Sequence, residues 1–561
     1  VVEKIKKTTM TQFSKFTHPY KIDPKYKQTS AYFCMEFGIN QALKIYSGGL
    51  GYLAGSHMRS AYELKQNLVG VGILWKYGYY DQIRGGDQSM DVLFQEKTYN
   101  FLEDTGIQFG IMVNKHEIRV KAWYLPPDVF GTAPLFFLST DLPENDYLAR
   151  TITHRLYDGN TETKIAQYVL LGIGGAKLLE LIGHEPEVYH INEAHALPVA
   201  FHLYNKLGSV EEVKKKLVFT THTPVPAGNE EHNIHLLDKM GFFDQVNLER
   251  VRQSTGVMSD NFNLTLGALR MSRLSNGVSK LHGKVAREMW GGYDNICPIT
   301  HITNSQNKKY WSDKVMDEAL AKGDDEALQA RKREMKEELF EEVADQTGKI
   351  LDPDKLTIVW ARRFAAYKRA DLITRDFEQF QRMMAHAKHP IQMIWAGKPY
   401  PTDYNAIGTF NHLVKISKEH SNCAVLVGYE LELSRKLKRG SDIWLNTPRV
   451  TREASGTSGM TAAMNGSINF STFDGWIPEF AKDKVNSFII PPVDTSRPLE
   501  EQDAEDLKNL LLILKNTVLP LYYEDKEGWA KMMKASMNDV VPFFDSDRMA
   551  HDYYEKLYSE E

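Results

Sequence analysis

Cysteine is scarce in this sequence. Its three residues, Cys34, Cys297 and Cys423, are far apart and show neither a Cys-x-x-Cys pair nor a Cys/His ligand spacing. That argues against a disulfide framework and against structural zinc, and no metal-site motif is evident, though an ion held loosely on a ligand would leave none. No apolar run approaches the roughly 18 residues that a membrane span requires. The opening stretch, VVEKIKKTTMTQF, lacks the apolar core of a signal peptide. Blocks of like charge are missing too: 68 basic and 73 acidic residues are interspersed, for a net charge of -5. A nucleic-acid surface or a polybasic membrane patch is therefore not expected. Internal repeats and low-complexity tracts are also absent. These absences predict a cytoplasmic protein, and they leave a homo-oligomeric state open.

The composition is that of an ordinary globular chain, 42% hydrophobic and 25% charged, and 561 residues suffice for two or three domains. Short apolar runs alternate with helical patterns. Strands are expected at 31–33, 68–74, 116–125, 134–138, 187–191 and 216–221, and a long amphipathic helix at 161–182. The glycines inside that helix, Gly172, Gly174 and Gly175, read as close packing. A charged stretch at 323–346 reads as a solvated helix at a domain junction. Beyond it the rhythm restarts, with apolar runs at 356–361, 391–396, 424–427, 443–446 and 468–471, which predicts a second parallel sheet. Helices from about 501 onward should pack over the domain surfaces.

Three stretches carry chemistry. EASGTSGMTAAMNG (453–466) follows an apolar strand with a glycine-rich turn before a helix, where backbone N–H groups can meet an anion and Glu453 can grip a sugar hydroxyl. SGGLGYLAGSHMRSAYEL (47–64) sets Gly48, Gly49 and Gly51 before another helix, a pattern that serves a ligand or a tight strand-to-helix turn. ARRFAAYKRADL (361–372) puts Arg362, Arg363, Lys368 and Arg369 at a strand end, suited to a phosphate or to a salt-bridged surface. Asn192-Glu193-Ala194-His195 and His222-Thr223-Pro224 close two expected strands, where open α/β sheets bind ligands.

Taken in order, SAYFCMEFG, YSGGLGYLAG, TDLPEN, LLGIGG, FTTHTPVPAG, SRLSNGVSKLHG, ITN, WARRFAAYKRADL and REASGTSGM strongly resemble the α-glucan (glycogen/starch) phosphorylase family, particularly its shorter bacterial branch. The resemblance covers about 30–476. It implies an α/β fold of two Rossmann-like domains facing across a cleft, the GT-B type of glycosyltransferase. On this chain they would be residues 1–300 on the glucan side and 301–535 on the donor-phosphate side, with a C-terminal helix in 536–561 returning to the first domain. It implies a retaining transfer of glucose between a phosphate and the non-reducing end of an α-1,4-glucan or malto-oligosaccharide. By motif, Arg363 and Lys368 resemble the pair that holds the substrate phosphate, with the backbone of Thr457 and Ser458 beside them. Glu453, Ala454, Ser455 and Gly456 resemble the glucose-hydroxyl contacts, joined by Asn304 and His222, while Gly49 and Leu50 would lie close to the phosphates.

One departure bears on the cofactor. Phosphorylases of this family carry a lysine directly after the Met of this motif, and it holds pyridoxal phosphate as a Schiff base, the cofactor serving through its own phosphate. Here that position is Thr461, whose hydroxyl cannot take that part, and the nearest lysines in sequence, Lys438 and Lys482, lie outside the loop. Covalent pyridoxal phosphate is therefore not expected, and the cofactor stays unassigned. A nucleotide-glucose donor would supply two phosphates in a row by itself, and is the expected donor. The alternatives are a true phosphorylase using glucose 1-phosphate, with pyridoxal phosphate bound non-covalently or through a lysine brought in by the fold, and a glucan-binding relative without turnover. ITNSQN (302–307), NEAH (192–195) and GKPY (397–400) also differ from the family pattern.

Overall fold

Strand Ser30–Phe33 is buried along its whole length and lies inside a nine-stranded sheet. The computed structural model describes residues 13–559, so most of the opening stretch read above lies outside the described residues. The sheet order is Ile299–His301, Leu274–Gly277, Leu217–Thr220, Val188–Asn192, Ser30–Phe33, Leu68–Ile73, Leu135–Ser139, His116–Leu125 and Glu103–Val113. All neighbours are parallel except the last three strands, which pair antiparallel. Parallel strands covered on both faces need continuous apolar runs, and those runs made them readable in the sequence.

The second sheet has six strands, all parallel: Cys423–Leu426, Ile391–Ala396, Leu356–Ala361, Ile443–Asn446, Ile468–Thr472 and Ser487–Ile490. In each sheet the chain starts in the interior, completes one side, then returns to build the other. The order reverses between Ser30–Phe33 and Val188–Asn192 in the first sheet, and between Leu356–Ala361 and Ile443–Asn446 in the second. Crevices beyond the carboxyl ends of strands at such reversal points are where open α/β sheets bind ligands.

Two expected helices differ from their reading. The helix at 161–182 is interrupted: Thr161–Val169 and Gly175–Leu181 flank a π-helical segment, Leu170–Gly174. Here a Cβ on Gly172 would lie 2.7 Å from the Val199 nitrogen, and one on Gly175 would lie 2.6 Å from the Phe33 ring. Close packing thus explains these glycines, and it also distorts the helix. The charged stretch forms Asp325–Thr347, but one face is buried through Leu328, Met335, Leu339 and Phe340. That face also takes in two lysines. Lys336 forms a 2.6 Å ion pair with Asp442, both side chains nearly inaccessible, and Lys332 donates to the carbonyls of Arg439 and Asn465.

At the far end of the chain, Ser546–Asp552 and the segment Tyr553–Tyr558 pack against the first sheet and the helix Gly49–Glu63. Tyr554 Oη lies 3.0 Å from Ser30 Oγ and Tyr558 Oη 2.8 Å from His190 Nδ1, while Gln306 forms a parallel bridge with Asp545. The halves are also tied by Glu430, which accepts from Gln41 and Lys44 of the first half and from Lys398 of the second. Despite burial, these two lysines hold its carboxyl down at about 2. Tyr80 donates to the Pro399 carbonyl at 2.6 Å and Gln82 to that of Gly397 at 2.9 Å. No helix among the described residues is long and apolar enough to cross a membrane, and the three cysteines are free and buried.

Candidate active site

The reversal point of the second sheet gathers the cationic motif and the glycine-rich turn. Strand Leu356–Ala361 delivers Arg362 and Arg363 directly at its carboxyl end, and strand Ile443–Asn446 leads into the turn at 453–458. Glu453 is buried and meets two of the cations, Arg362 Nη1 at 3.2 Å and Lys368 Nζ at 3.1 Å. Burial works to raise its carboxyl, but Lys368 and Arg362 overcome this and hold it below the usual carboxylate range. Arg362 also donates to Ser458 Oγ at 2.8 Å. Arg363 behaves differently: it is exposed and forms no ion pair with a carboxylate among the described residues. Although the residue keeps an accessible surface, desolvation by the protein around its guanidinium opposes the charge, and Tyr367, Tyr79 and Glu453 more than offset that and hold its pKa above the ordinary value.

The fourth cation belongs to the structure. Arg369 is fully buried, pairs with Asp503 at 2.8 Å and Asp506 at 2.7 Å, and donates to the carbonyls of Thr447 and Pro448. Three of the four cations are thus salt-bridged, Arg362 and Lys368 to Glu453 in the turn and Arg369 to two carboxylates of a later helix.

The turn itself needs its glycine, for Gly456 has φ +90°, a left-handed conformation that side chains disfavour. Ser279 Oγ donates to the Ala454 carbonyl at 2.7 Å, which joins the turn to the first sheet's side. Asn304 lies on that side as well, its N–H bonded to the Val278 carbonyl. Several buried polar atoms at this junction have no hydrogen-bond partner among the described residues: Asn304 Oδ1, Ser455 Oγ, Arg362 Nε and Trp476 Nε1. Such orphans are uncommon in folded proteins and call for an explanation.

On the first sheet, the loop after Ser30–Phe33 carries Glu36. This buried carboxylate accepts from the N–H groups of Ser47 at 2.6 Å and Gly48 at 3.2 Å, from Ser47 Oγ and from Tyr157 Oη at 2.8 Å. Burial raises its pKa. Gly51 is packed, since a Cβ there would lie 2.6 Å from Glu36 Oε2, whereas Cβ atoms on Gly48 and Gly49 would meet nothing within 4 Å. Gly49 begins the helix that continues through Leu50, so backbone at this turn faces open space.

After Val188–Asn192, Glu193 adopts φ 67°, ψ 167°, a region that almost only glycine visits. Its carboxylate accepts from the His222 N–H and from Thr223 Oγ1, and burial lifts its pKa to about 7. His222 Nε2 lies 2.7 Å from Asn192 Oδ1, and burial, with help from His282 and His195, lowers its pKa to about 3, so the ring is neutral. His195 instead stacks on Tyr168.

Sequence reasoning overlooked Asp474, which accepts the Glu453 N–H at 2.9 Å and whose carboxyl burial raises to about 7. It also overlooked Tyr157, which had no local signal; Glu36 stood in a quoted motif without an assigned role. Among the described residues no cluster of His, Cys, Asp and Glu could hold a metal.

Thr461 lies inside helix Ser458–Met464, fully buried, its hydroxyl donating to the Ser458 carbonyl at 3.0 Å. It offers no amine to pyridoxal phosphate. Lys482 is exposed and pairs with Asp539. Lys438 is different: helix Leu431–Gly440 packs on the helix of Thr461, and the Lys438 side chain is buried. Its Nζ lies 3.9 Å from the centroid of Trp311 and 5.5 Å from that of Tyr52. Those rings cluster with Met460, Ala463 and Met464, the residues that bracket Thr461.

The carbohydrate phosphorylase family model matches residues 299–487. An uncharacterised protein of Methanocaldococcus jannaschii is 49% identical over 94% of this chain and 99% of its own length. The maltodextrin phosphorylase of Thermococcus litoralis is 34% identical over 96% of this chain and 71% of its own, and the glycogen phosphorylase of Aquifex aeolicus 30% identical over 99% and 88%. The chain belongs to the α-glucan phosphorylase family and is an enzyme of that type.

Proposed function

We propose that this enzyme is a retaining hexosyltransferase that moves glucose between a phosphate-bearing donor and the non-reducing end of an α-1,4-glucan. The two sheets act as two Rossmann-like domains, 1–300 and 301–535, with the ligand in a cleft between their reversal points. One observation carries the reading: Arg363, accessible and without a carboxylate partner among the described residues, directly follows Arg362 at the strand end, and buried polar atoms of Arg362, Ser455 and Asn304 are left without a hydrogen-bond partner among those residues. That set matches a ligand with an anionic end and several hydroxyls.

In this reading Arg363 and Lys368 hold the donor phosphate, assisted by the backbone of Thr457, Ser458, Gly49 and Leu50. Glu453, Ala454, Ser455, Gly456 and Asn304 bind glucose hydroxyls, and neutral His222 contacts the sugar's far side. No carboxylate need act as nucleophile; the work is to orient the reactants and stabilise charge on the departing phosphate. Of two donor candidates, glucose 1-phosphate and a nucleoside-diphosphate glucose, the second is favoured, because the buried Thr461 offers no amine to pyridoxal phosphate.

The test offers malto-oligosaccharide with either glucose 1-phosphate or nucleotide-glucose donors and identifies the group released as the glucan grows. Orthophosphate supports the first donor and nucleoside diphosphate the second. Absence of elongation with every donor, and of phosphorolysis in the reverse direction, would overturn the transferase reading.

A further inference from the structure

Strand Val188–Asn192 and the residue after it hold one partner from two sides. Asn192 Oδ1 lies 2.7 Å from Nε2 of the His222 ring, and Glu193 accepts the main-chain N–H of the same histidine. The carboxylate oxygen that does so, Oε1, also accepts from Thr223 Oγ1 at 3.2 Å. In return the Glu193 N–H is bonded to the Thr220 carbonyl at 2.8 Å. Ring, main chain and neighbouring hydroxyl of the turn that follows strand Leu217–Thr220 are thus all fixed from one strand end. The pairing of the two strands does not require this, since their ladder closes at Asn192 and Thr220.

Glu193 keeps that place against two costs. Its backbone, at φ 67° and ψ 167°, is one that side chains disfavour, and its buried carboxylate forms no ion pair among the described residues. Lys164 and His232 lie against Glu230 instead, at 3.8 and 3.0 Å. Glycine would relieve the strain, and an uncharged side chain would avoid the buried charge. Residues held in such conformations cluster where a protein uses the geometry they impose. Here the geometry imposed is that of His222, the first sheet's contact with the sugar in the proposed site.

The surroundings also bear on the charge. Burial is the largest influence on the Glu193 carboxyl and lifts its pKa to about 7; Glu230 adds to this, while bonds from His222, Thr223 and Ala194 act the other way. The other titratable groups around it are held elsewhere. Glu230 stays at about 2, and burial pushes Cys34 up to about 12 and Tyr168 well above its ordinary value. Burial also lowers His222 to about 3, His282 to about 4 and His195 below its ordinary value. Of these groups, Glu193 is the one poised to change charge near neutrality.

We propose that Glu193 is a positioning residue for the transfer: as a carboxylate it holds the His222–Thr223 turn in the geometry that meets the sugar, and protonation loosens that hold. An ionised oxygen accepts both bonds with charge assistance, whereas a protonated carboxyl accepts them more weakly. The inference rests on the transferase reading above.

The experiment measures malto-oligosaccharide elongation by the full chain and by Glu193→Gln, a replacement of equal size, with the donor that supports elongation. Comparing the two at each pH cancels the titration of the donor and of Asp474. Glu193→Gln should lower kcat by about tenfold where Glu193 is ionised, with KM for the donor nearly unchanged. The ratio of parent to variant should fall from about ten at about pH 8 to near one at about pH 5, as the parent's carboxyl takes up its proton. Thr223→Val provides a second reading if the glutamine variant does not fold. It removes one bond to the charged form, so the acid limb of the kcat profile should move to higher pH. A purely structural role would lower kcat equally at every pH and leave that limb in place. A ratio independent of pH, or an unmoved limb in Thr223→Val, overturns the inference and leaves the transferase reading intact. A parent that neither elongates nor phosphorolyses glucan with any donor overturns both.

Discussion

Arg363→Ala should remove transfer and leave the fold alone, and its neighbour in the same motif provides the contrast. Arg363 is exposed and has no carboxylate partner among the described residues, so its loss leaves no buried charge unpaired. A guanidinium gripping a phosphate makes two charge-assisted hydrogen bonds worth about 1.5–3 kcal/mol each. Losing both in the transition state raises the barrier by about 3–6 kcal/mol, a fall in kcat/KM of roughly 10²- to 10⁴-fold. Arg369→Ala acts on the other quantity. It strips Asp503 and Asp506 of a fully buried partner, a loss of about 3–5 kcal/mol, and should lower the unfolding midpoint by about 3 °C or more. Initial rates of malto-oligosaccharide elongation, measured with thermal unfolding on the same samples, separate the two. A well-folded Arg363→Ala enzyme within tenfold of the parent would refute the assignment of the phosphate to this arginine.

Gly49→Ala should keep the unfolding midpoint, since the new methyl meets nothing, yet weaken donor binding measured by calorimetry; Gly51→Ala should destabilise by pushing into Glu36 and Tyr46. Equal effects from both would contradict the open approach at Gly49. The Asp474 carboxyl, raised by burial from 3.8 to about 7, binds a proton in the folded chain that the unfolded chain releases across that range. Its contribution to stability therefore falls as pH rises between those values, by at most about 1.4 kcal/mol per pH unit. Asp474→Asn should flatten this part of the denaturation-versus-pH curve, and an unchanged slope would count against the burial argument. Glu430→Gln removes the carboxylate shared by Lys44 and Lys398, so amide exchange near 41–46 and 397–400 should accelerate; unaltered protection would mean that the other bonds there suffice.

The strands were legible because a parallel strand covered on both faces must be continuously apolar, as at 356–361 and 391–396. The chemistry at their ends was legible for a related reason: glycines and cations crowded into a few residues, as at 361–372 and 453–466, do not suit a helix or strand interior. What escaped notice depends on distant pairings. Arg369 could not be told from Arg363 until Asp503 and Asp506 arrived from a helix far along the chain. Lys438 sits in LELSRKLKRG, where it looks like one more charge on a solvated helix, and only Trp311 and Tyr52 bury it. The helix at 161–182 was readable as a helix but not as a distorted one. Its π segment answers to the backbone at 196–199, which no local pattern announces.

The return of the last residues to the first sheet also constrains how the molecule comes into being. Ser30 and Tyr554 are 524 positions apart, yet they share a hydrogen bond in the same packed layer. During synthesis, the face of Leu53, Val188 and Val218 stays uncovered until Met549, Tyr553 and Leu557 have left the ribosome. The first half is thus begun first and finished last. Contacts of such long sequence separation slow folding, and an apolar face that waits this long is the surface on which a chaperone, or a second unfinished chain, would be expected to settle.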